Sequence, residues 1–94
     1  MDNYSFEEVE ALVEGYFDLS EYKTKLKILV RLADLERVFP RLPQAEKQAL
    51  LFHTMMGMPA DRAGKRLGCS PATVERRCRS GLERLVNLIH GRGI

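Results

Sequence analysis

The chain of 94 residues has no tryptophan and only two cysteines. It also has no apolar run of about 18 residues, which excludes a typical membrane-spanning helix. Its first residues, MDNYSFEEVE, are acidic and lack the basic flank and apolar stretch of a signal peptide. The expected location is therefore the cytoplasm. The length suits one compact domain with a modest core of Leu, Val, Ala and Met.

The few residues that could carry chemistry are scattered. Cys69 and Cys78 have neither CxxC spacing nor a nearby histidine pair, so we expect small buried side chains rather than a zinc site or a disulfide. His53 and His90 fall on different predicted helices, with no serine or cysteine arranged as a nucleophile. The sequence therefore predicts no enzyme activity, no metal and no cofactor.

Lys and Arg are absent from the first 21 residues, and the formal net charge of +2 conceals this asymmetry. The acids of that segment are Asp2, Glu7, Glu8, Glu10, Glu14, Asp18 and Glu21. The bases after Gly57 are Arg62, Lys65, Arg66, Arg76, Arg77, Arg79, Arg84 and Arg92, and the acids among them are Asp61, Glu75 and Glu83. One end therefore repels polyanions and the other attracts them.

Apolar residues recur at helical spacing throughout, and no segment alternates long enough to suggest a strand. The predicted fold is all-α with about five helices. Ser5 and Glu8 form a capping box at the start of the first helix. Its expected inner stripe is Val9, Leu12, Val13, Tyr16 and Phe17.

A second helix is predicted from Ser20 to about Phe39, with two apolar seams. One seam is Tyr22, Leu26, Leu29 and Ala33, and the other is Ile28, Leu32, Leu35 and Phe39. A stripe this wide indicates contacts on two sides. Two interpretations remain open: the helix packs between the first helix and the C-terminal part, or residues 20–39 form a homodimer seam. Residues 1–40 are thus an N-terminal helical extension for packing or dimerisation.

Proline, glycine and serine divide residues 41–94 into three further helices. We expect this segment to form a C-terminal helix-turn-helix domain of three or four helices. The third helix is expected from Pro43 to about Met56, with Gly57 as its stop. The fourth is expected from Ala60 to Leu67 and the fifth from a Ser70 cap, with Pro71 in the first turn, to about His90.

The stretch from Met58 to Leu85 has the pattern of a helix-turn-helix. Ala63 and Gly64 would let the two helices approach, and Gly68 can adopt a positive φ in the turn. Rotating the fifth helix by roughly 100° per residue gathers its apolar residues on one side. The inward set is Val74, Cys78, Leu82, Leu85 and Ile89; the outward set is Ala72, Thr73, Arg76 and Ser80. Arginines flank both sides, as expected of a helix that enters a DNA groove.

The run LPQAEKQALLFHTMMGMPADRAGKRLGCSPATVERRCRSGLERL resembles the fourth, promoter-recognising region of bacterial sigma factors. It is most similar to the extracytoplasmic-function type and to small phage regulators built on the same domain. The resemblance covers about half of the chain and rests on these positions: Leu42-Pro43, Glu46, Leu50-Leu51, Gly57, Leu67-Gly68, Ser70, Thr73-Val74, Arg77, Leu82 and Leu85.

The resemblance implies that the helix from about Ser70 reads bases in the major groove. The expected base-proximal residues are Pro71, Ala72, Thr73, Glu75, Arg76 and Ser80. The expected phosphate contacts are Arg62, Lys65, Ser70, Arg77, Arg79 and Arg84.

The predicted function is a sequence-specific regulator of transcription that binds double-stranded DNA, with RNA polymerase as a candidate second partner. The first forty residues contain nothing that resembles the promoter-melting region, so a complete sigma factor is not expected. The alternative is a protein-interaction module that keeps the fold, binds polymerase or another protein, and binds DNA weakly. In that case the acidic first helix would mimic DNA or cover the basic face.

Overall fold

The computed structural model describes residues 5–19 and 33–91, and all regular structure in these ranges is helical. This confirms the predicted all-α fold. The elements in chain order are α1 (Phe6–Glu14), α2 (Tyr16–Leu19), α3 (residues 33–38), a 3₁₀ turn (Phe39–Arg41), α4 (Gln44–Ala49), a π-helical turn (Leu50–Met55), α5 (Ala60–Leu67) and α6 (Pro71–Ile89).

Helix α1 begins at the predicted capping box. The Ser5 hydroxyl accepts a bond from the Glu8 amide at 3.1 Å, and the Glu8 carboxylate accepts one from the Ser5 amide at 2.9 Å. Val9 and Val13 are fully buried, as predicted. The prediction that Phe17 continues this stripe is wrong, because α1 ends before Gly15 and the chain restarts in α2, where Phe17 is 47% exposed.

Much of the predicted second helix lies outside the described residues. Residues 33–38 are helical, and Leu35 and Val38 are buried. The 3₁₀ turn Phe39–Arg41 follows, as expected where Pro40 disfavours continuation of the helix. Residues 20–32, which hold most of both apolar seams, are outside the described ranges, so the homodimer seam over 20–39 stays a prediction.

The third predicted helix changes geometry halfway. Pro43 lies just before α4 rather than inside it, with φ −55° and ψ 146°. After Ala49 the backbone widens into the π-helical turn, closed by a bond of 3.0 Å from the Met56 amide to the Leu51 carbonyl. The predicted end near Met56 is confirmed, and Gly57 has the positive φ, 74°, expected of a stop.

Among the described residues, a hydrophobic core joins these helices around α6. Val74, Leu82 and Leu85 of α6 pack with Val9 and Val13 of α1 in this core. The core also includes Leu12, Leu35, Val38, Leu42, Ala49, Leu50, Ala63, Cys78 and Leu88. The N-terminal segment therefore helps to hold α6 in place.

Helix α4 crosses α6 closely at Gly81. A Cβ at this position would lie 2.9 Å from Leu50 Cδ1 and 3.2 Å from Glu46 Cβ, so the absence of a side chain permits the contact. None of the helices in residues 5–19 and 33–91 combines the length and the apolar content that a membrane span needs.

Candidate nucleic-acid interface

Helices α5 and α6 are joined by a tight turn. Gly68 has φ 75° and ψ 35°, the left-handed conformation that glycine adopts without strain. The Gly64 carbonyl accepts a bond of 2.9 Å from the Cys69 amide, and a Cβ on Gly64 would overlap the carbonyl oxygen of Cys69. Both helix boundaries and the close approach at buried Ala63 and Gly64 confirm the predicted helix-turn-helix geometry.

The N-terminal tip of α6 is fixed by side-chain hydrogen bonds. Ser70 Oγ accepts a bond from the Thr73 amide at 3.2 Å and donates one to Thr73 Oγ1 at 2.9 Å. Arg76 Nη2 donates to the same Oγ1 at 3.3 Å. Pro71 and Ala72 are exposed in front of this cluster. The tip therefore presents short side chains and one guanidinium with limited freedom.

The inward and outward faces of α6 separate largely as predicted. Val74 and Leu85 are fully buried, Leu82 is almost so, and the buried Cys78 completes the inner face. Arg76 is exposed on the opposite side. The predicted orientation of this helix is confirmed at its N-terminal half, where the candidate base contacts lie.

Cations of α5 extend the basic surface beside the turn. Arg62, Lys65 and Arg66 are exposed, and with Met58 they border an open depression of about 320 Å³. The Arg66 guanidinium lies 5.3 Å from the centroid of the Phe52 ring, within the range of a cation–π contact. Arg66 was not among the predicted contacts, although its spacing of four residues from Arg62 places both on one face of the predicted helix.

Arg77 is half-buried against the turn. Its Nη1 donates to the Cys69 sulfur over 3.6 Å, which places the guanidinium between α6 and the end of α5. The predicted flanking position of Arg77 is thus on the α5 side of the recognition helix.

Ser80 and Arg84 lie on the α4 side of α6, where they bind the carboxylate of Glu46. Ser80 Oγ donates to Glu46 Oε2 at 2.7 Å and Arg84 Nε to Glu46 Oε1 at 2.8 Å. Glu46 is 8% exposed. The prediction that Ser80 points away from the protein is wrong, because α4 packs on that flank and widens the buried arc of α6.

Sequence reasoning missed this role of Glu46. Its two partners follow it by 34 and 38 residues, so no local pattern connects them. The available signal was that Glu46 is one of the positions on which the sigma-factor resemblance rests.

Arg79 lies on the opposite flank, between α6 and α1. Its guanidinium is 5.0 Å from the centroid of the Phe6 ring, and its Nε is 3.6 Å from Glu83 Oε2. A cavity of about 450 Å³ opens here, with Glu10 and Glu14 of α1 in its lining. Its other lining residues are Phe6, His53, Thr54, Gly57, Glu75, Cys78, Arg79 and Leu82.

Both cysteines are free thiols, Cys69 half-buried and Cys78 buried. Burial raises the pKa of Cys78; a hydrogen bond with Thr54 opposes this, and the charge of Glu75 adds to it. Within the described ranges, no group of three or more His, Cys, Asp or Glu residues is placed to hold a metal ion.

Comparison with known families gives a match. The family described as sigma-70, region 4, matches residues 32–85. The matched segment is more than half of the chain and includes α4, the π-helical turn, α5 and most of α6. Comparisons with curated proteins and with solved structures gave no match.

Proposed function

Because the chain belongs to the sigma-70 region 4 family, whose members are DNA-binding helix-turn-helix domains that also contact RNA polymerase, we propose that it is a sequence-specific regulator of transcription. It binds double-stranded DNA with the N-terminal turns of α6 in the major groove. It acts on bacterial or phage DNA in the cytoplasm.

The division of α6 into two faces carries this proposal. The buried Val74, Cys78 and Leu85 hold the helix to the core, while Pro71, Ala72 and Arg76 remain exposed at its capped end. The major groove is wide enough to admit such a helix. The short side chains at the tip allow close approach to base edges, and the positive end of the α6 dipole favours a phosphate nearby.

The proposed base-reading set is Pro71, Ala72, Thr73, Glu75 and Arg76. Arg76 has the donor geometry for a bidentate contact with guanine, and Ala72 suits the methyl group of thymine. Thr73 supports Arg76 through the bond of 3.3 Å between them. Discrimination between sequences is therefore expected to depend chiefly on Arg76.

The proposed phosphate contacts lie on the α5 side of the groove-reading helix. They are Arg62, Lys65, Arg66 and Arg77; Ser70 is omitted because its hydroxyl is bonded to Thr73. Cations on both α5 and α6 would hold the backbone while the tip of α6 reads bases. Ser80 and Arg84 are omitted because Glu46 binds both side chains.

One domain of this size makes few base contacts, so useful specificity requires a second copy or a polymerase partner. RNA polymerase is the proposed partner because the family contacts it. The contact of the family with RNA polymerase also favours the alternative, a polymerase-binding module with weak DNA affinity. The acidic helix α1 favours it too, because it lies beside α6 and its charge opposes DNA.

The experiment begins with a selection from random duplexes to obtain a preferred site. A palindromic site would indicate a symmetric dimer. Fluorescence anisotropy then compares wild type with Arg77→Ala and Arg76→Ala over a salt series. Arg77→Ala should weaken binding to all sequences and lower the salt slope by about one, because a phosphate contact is lost. Arg76→Ala should relax preference at one base pair, a discrimination of about 1–3 kcal/mol.

Lys47→Ala is the matched control, because it removes one positive charge from α4 on the side that faces Pro40. It should leave sequence preference unchanged and alter the salt slope less than Arg77→Ala. Equal slopes for wild type and Arg77→Ala would contradict the proposed phosphate contact. Polymerase binding without DNA binding would instead support the alternative.

A further inference from the structure

Helix α1 is fixed beside the recognition helix. Val9 and Val13 are fully buried and Leu12 is 7% exposed, in the same core as Val74 and Leu85. Release of α1 would expose this apolar surface to water, at a cost of roughly 25 cal/mol per Å². The polar residues of α1 therefore stay where the structure has them when a ligand approaches α6.

One arginine of α6, Arg79, contacts α1. Arg79 lies over the Phe6 ring and pairs with Glu83. Its side chain is still 71% exposed, so a phosphate could reach it if it left these contacts. Arg77 differs, because it lies against the turn on the α5 side.

Carboxylates lie on one side of Arg79. Glu10 and Glu14 of α1 and Glu75 of α6 line the same cavity. Besides Arg79, the one lining residue that can carry a positive charge in the described part of the chain is His53, and its Nδ1 lies 2.7 Å from the Met58 carbonyl oxygen. At about 0.1 M salt, charges act over about 10 Å, so these carboxylates oppose a phosphate near Arg79.

We propose that α1 sets an upper limit on DNA affinity, an inference that rests on the DNA-binding function proposed above. Glu10 and Glu14 repel the phosphate backbone on this flank, so Arg79 keeps its contact with Phe6 instead of binding a phosphate. The recognition helix then holds DNA mainly through cations on the Arg77 side. Since non-specific binding is almost wholly electrostatic, this limit suppresses binding to arbitrary sequences.

The test removes the charges and keeps the helix. Glu10→Gln with Glu14→Gln preserves side-chain length and helix propensity. At low salt this double variant should bind both selected and random duplexes about three- to ten-fold more tightly than wild type. Its salt slope should be steeper by up to about one, because Arg79 gains a phosphate, and the gain should shrink at high salt.

The matched control is Asp34→Asn with Glu36→Gln, which changes net charge by the same amount on α3, away from this cavity. After Glu36→Gln, the side-chain amide oxygen can still accept the bond that the Tyr16 hydroxyl donates. A second comparison adds Arg79→Ala to both backgrounds. It should cost little affinity in wild type and should remove most of the gain in the Glu10/Glu14 variant.

Unchanged affinity in the Glu10/Glu14 variant would overturn the limit set by α1, and so would an equal gain in the α3 control. The proposed function is judged separately, by the loss of binding in Arg77→Ala. DNA binding that appears only in the Glu10/Glu14 variant would support the limit, whereas no binding by either protein would overturn both proposals. If the double variant melts early, the two single variants provide the same comparison.

Discussion

Gly64 and Gly68 bracket the turn before α6 for different physical reasons. Gly64 lies where a Cβ would overlap the Cys69 carbonyl oxygen, so the position lacks space. Gly68 has no atom within 4 Å of an added Cβ, but its φ is +75°. The first position requires glycine because there is no room for a Cβ, and the second requires glycine because of its backbone conformation.

Replacing each glycine with alanine should separate these effects. Gly64→Ala should cost about 3 kcal/mol in the free energy of unfolding, because the clash is with backbone and no side-chain rotation relieves it. Gly68→Ala should cost about 1 kcal/mol, the usual penalty for alanine in the left-handed region. Urea unfolding of both variants measures the difference, and equal losses would show that space at Gly64 is not limiting.

Glu46 acts at the scale of elements, since it joins α4 to α6. Its carboxylate accepts bonds from Ser80 and Arg84 while 8% exposed. Gly81 lies between these two donors along α6 and allows α4 to approach. The carboxylate thus helps to set the angle at which α6 presents its tip.

Glu46→Ala should destabilise the fold by about 2 kcal/mol, because it leaves two donors on α6 without their acceptor. Glu46→Gln should cost less, since the amide oxygen still accepts one bond. The control is Glu83→Ala, which removes an exposed ion pair with Arg79 and should cost under about 0.5 kcal/mol. Thermal melting monitored by circular dichroism ranks the three, and a Glu46→Ala loss no larger than that of Glu83→Ala would contradict the bridging role.

The sequence predicted the elements best where punctuating residues mark both ends. Helix α5 ends at Leu67 because Gly68 follows, and α6 begins at Pro71 because Ser70 caps it, so both boundaries could be read directly. The π-helical turn Leu50–Met55 could not be read, because its residues have no local signal that distinguishes it from an α-helix.

The sequence predicted the part of the candidate site that depends on the orientation of α6 alone. Helical periodicity gave the orientation of Val74 and Arg76 correctly. It failed at Ser80, because periodicity gives directions around a helix and does not say which flanks have neighbours. The contacts of Ser80 with α4 and of Arg79 with α1 depend on tertiary packing between distant segments.

The raised pKa values of Cys78 and Tyr16 make the stability of the whole molecule depend on pH. Burial raises the pKa of Cys78 above the usual 9.0. A hydrogen bond to Glu36, together with burial and the charge of Glu36, raises the pKa of Tyr16 above the usual 10.0. In both cases the folded chain favours the protonated, neutral form.

Stability should therefore decline in the alkaline range. These groups cost nothing below their unfolded pKa values, and the free energy of unfolding falls as pH rises through the higher folded values. Urea unfolding at several pH values above about 8 measures this decline. Cys78→Ala removes one titrating group, so its curve should be flatter than that of wild type; parallel curves would contradict a contribution from the thiol.

The length of α6 has a consequence for assembly. Its 19 residues extend about 28 Å at 1.5 Å per residue. The capped end at Ser70 and the end at Ile89 are therefore separated by more than the width of the major groove that would receive the tip, about 12 Å. A second macromolecule seated at the Ile89 end would have room to stay bound while a duplex occupies the Ser70 end.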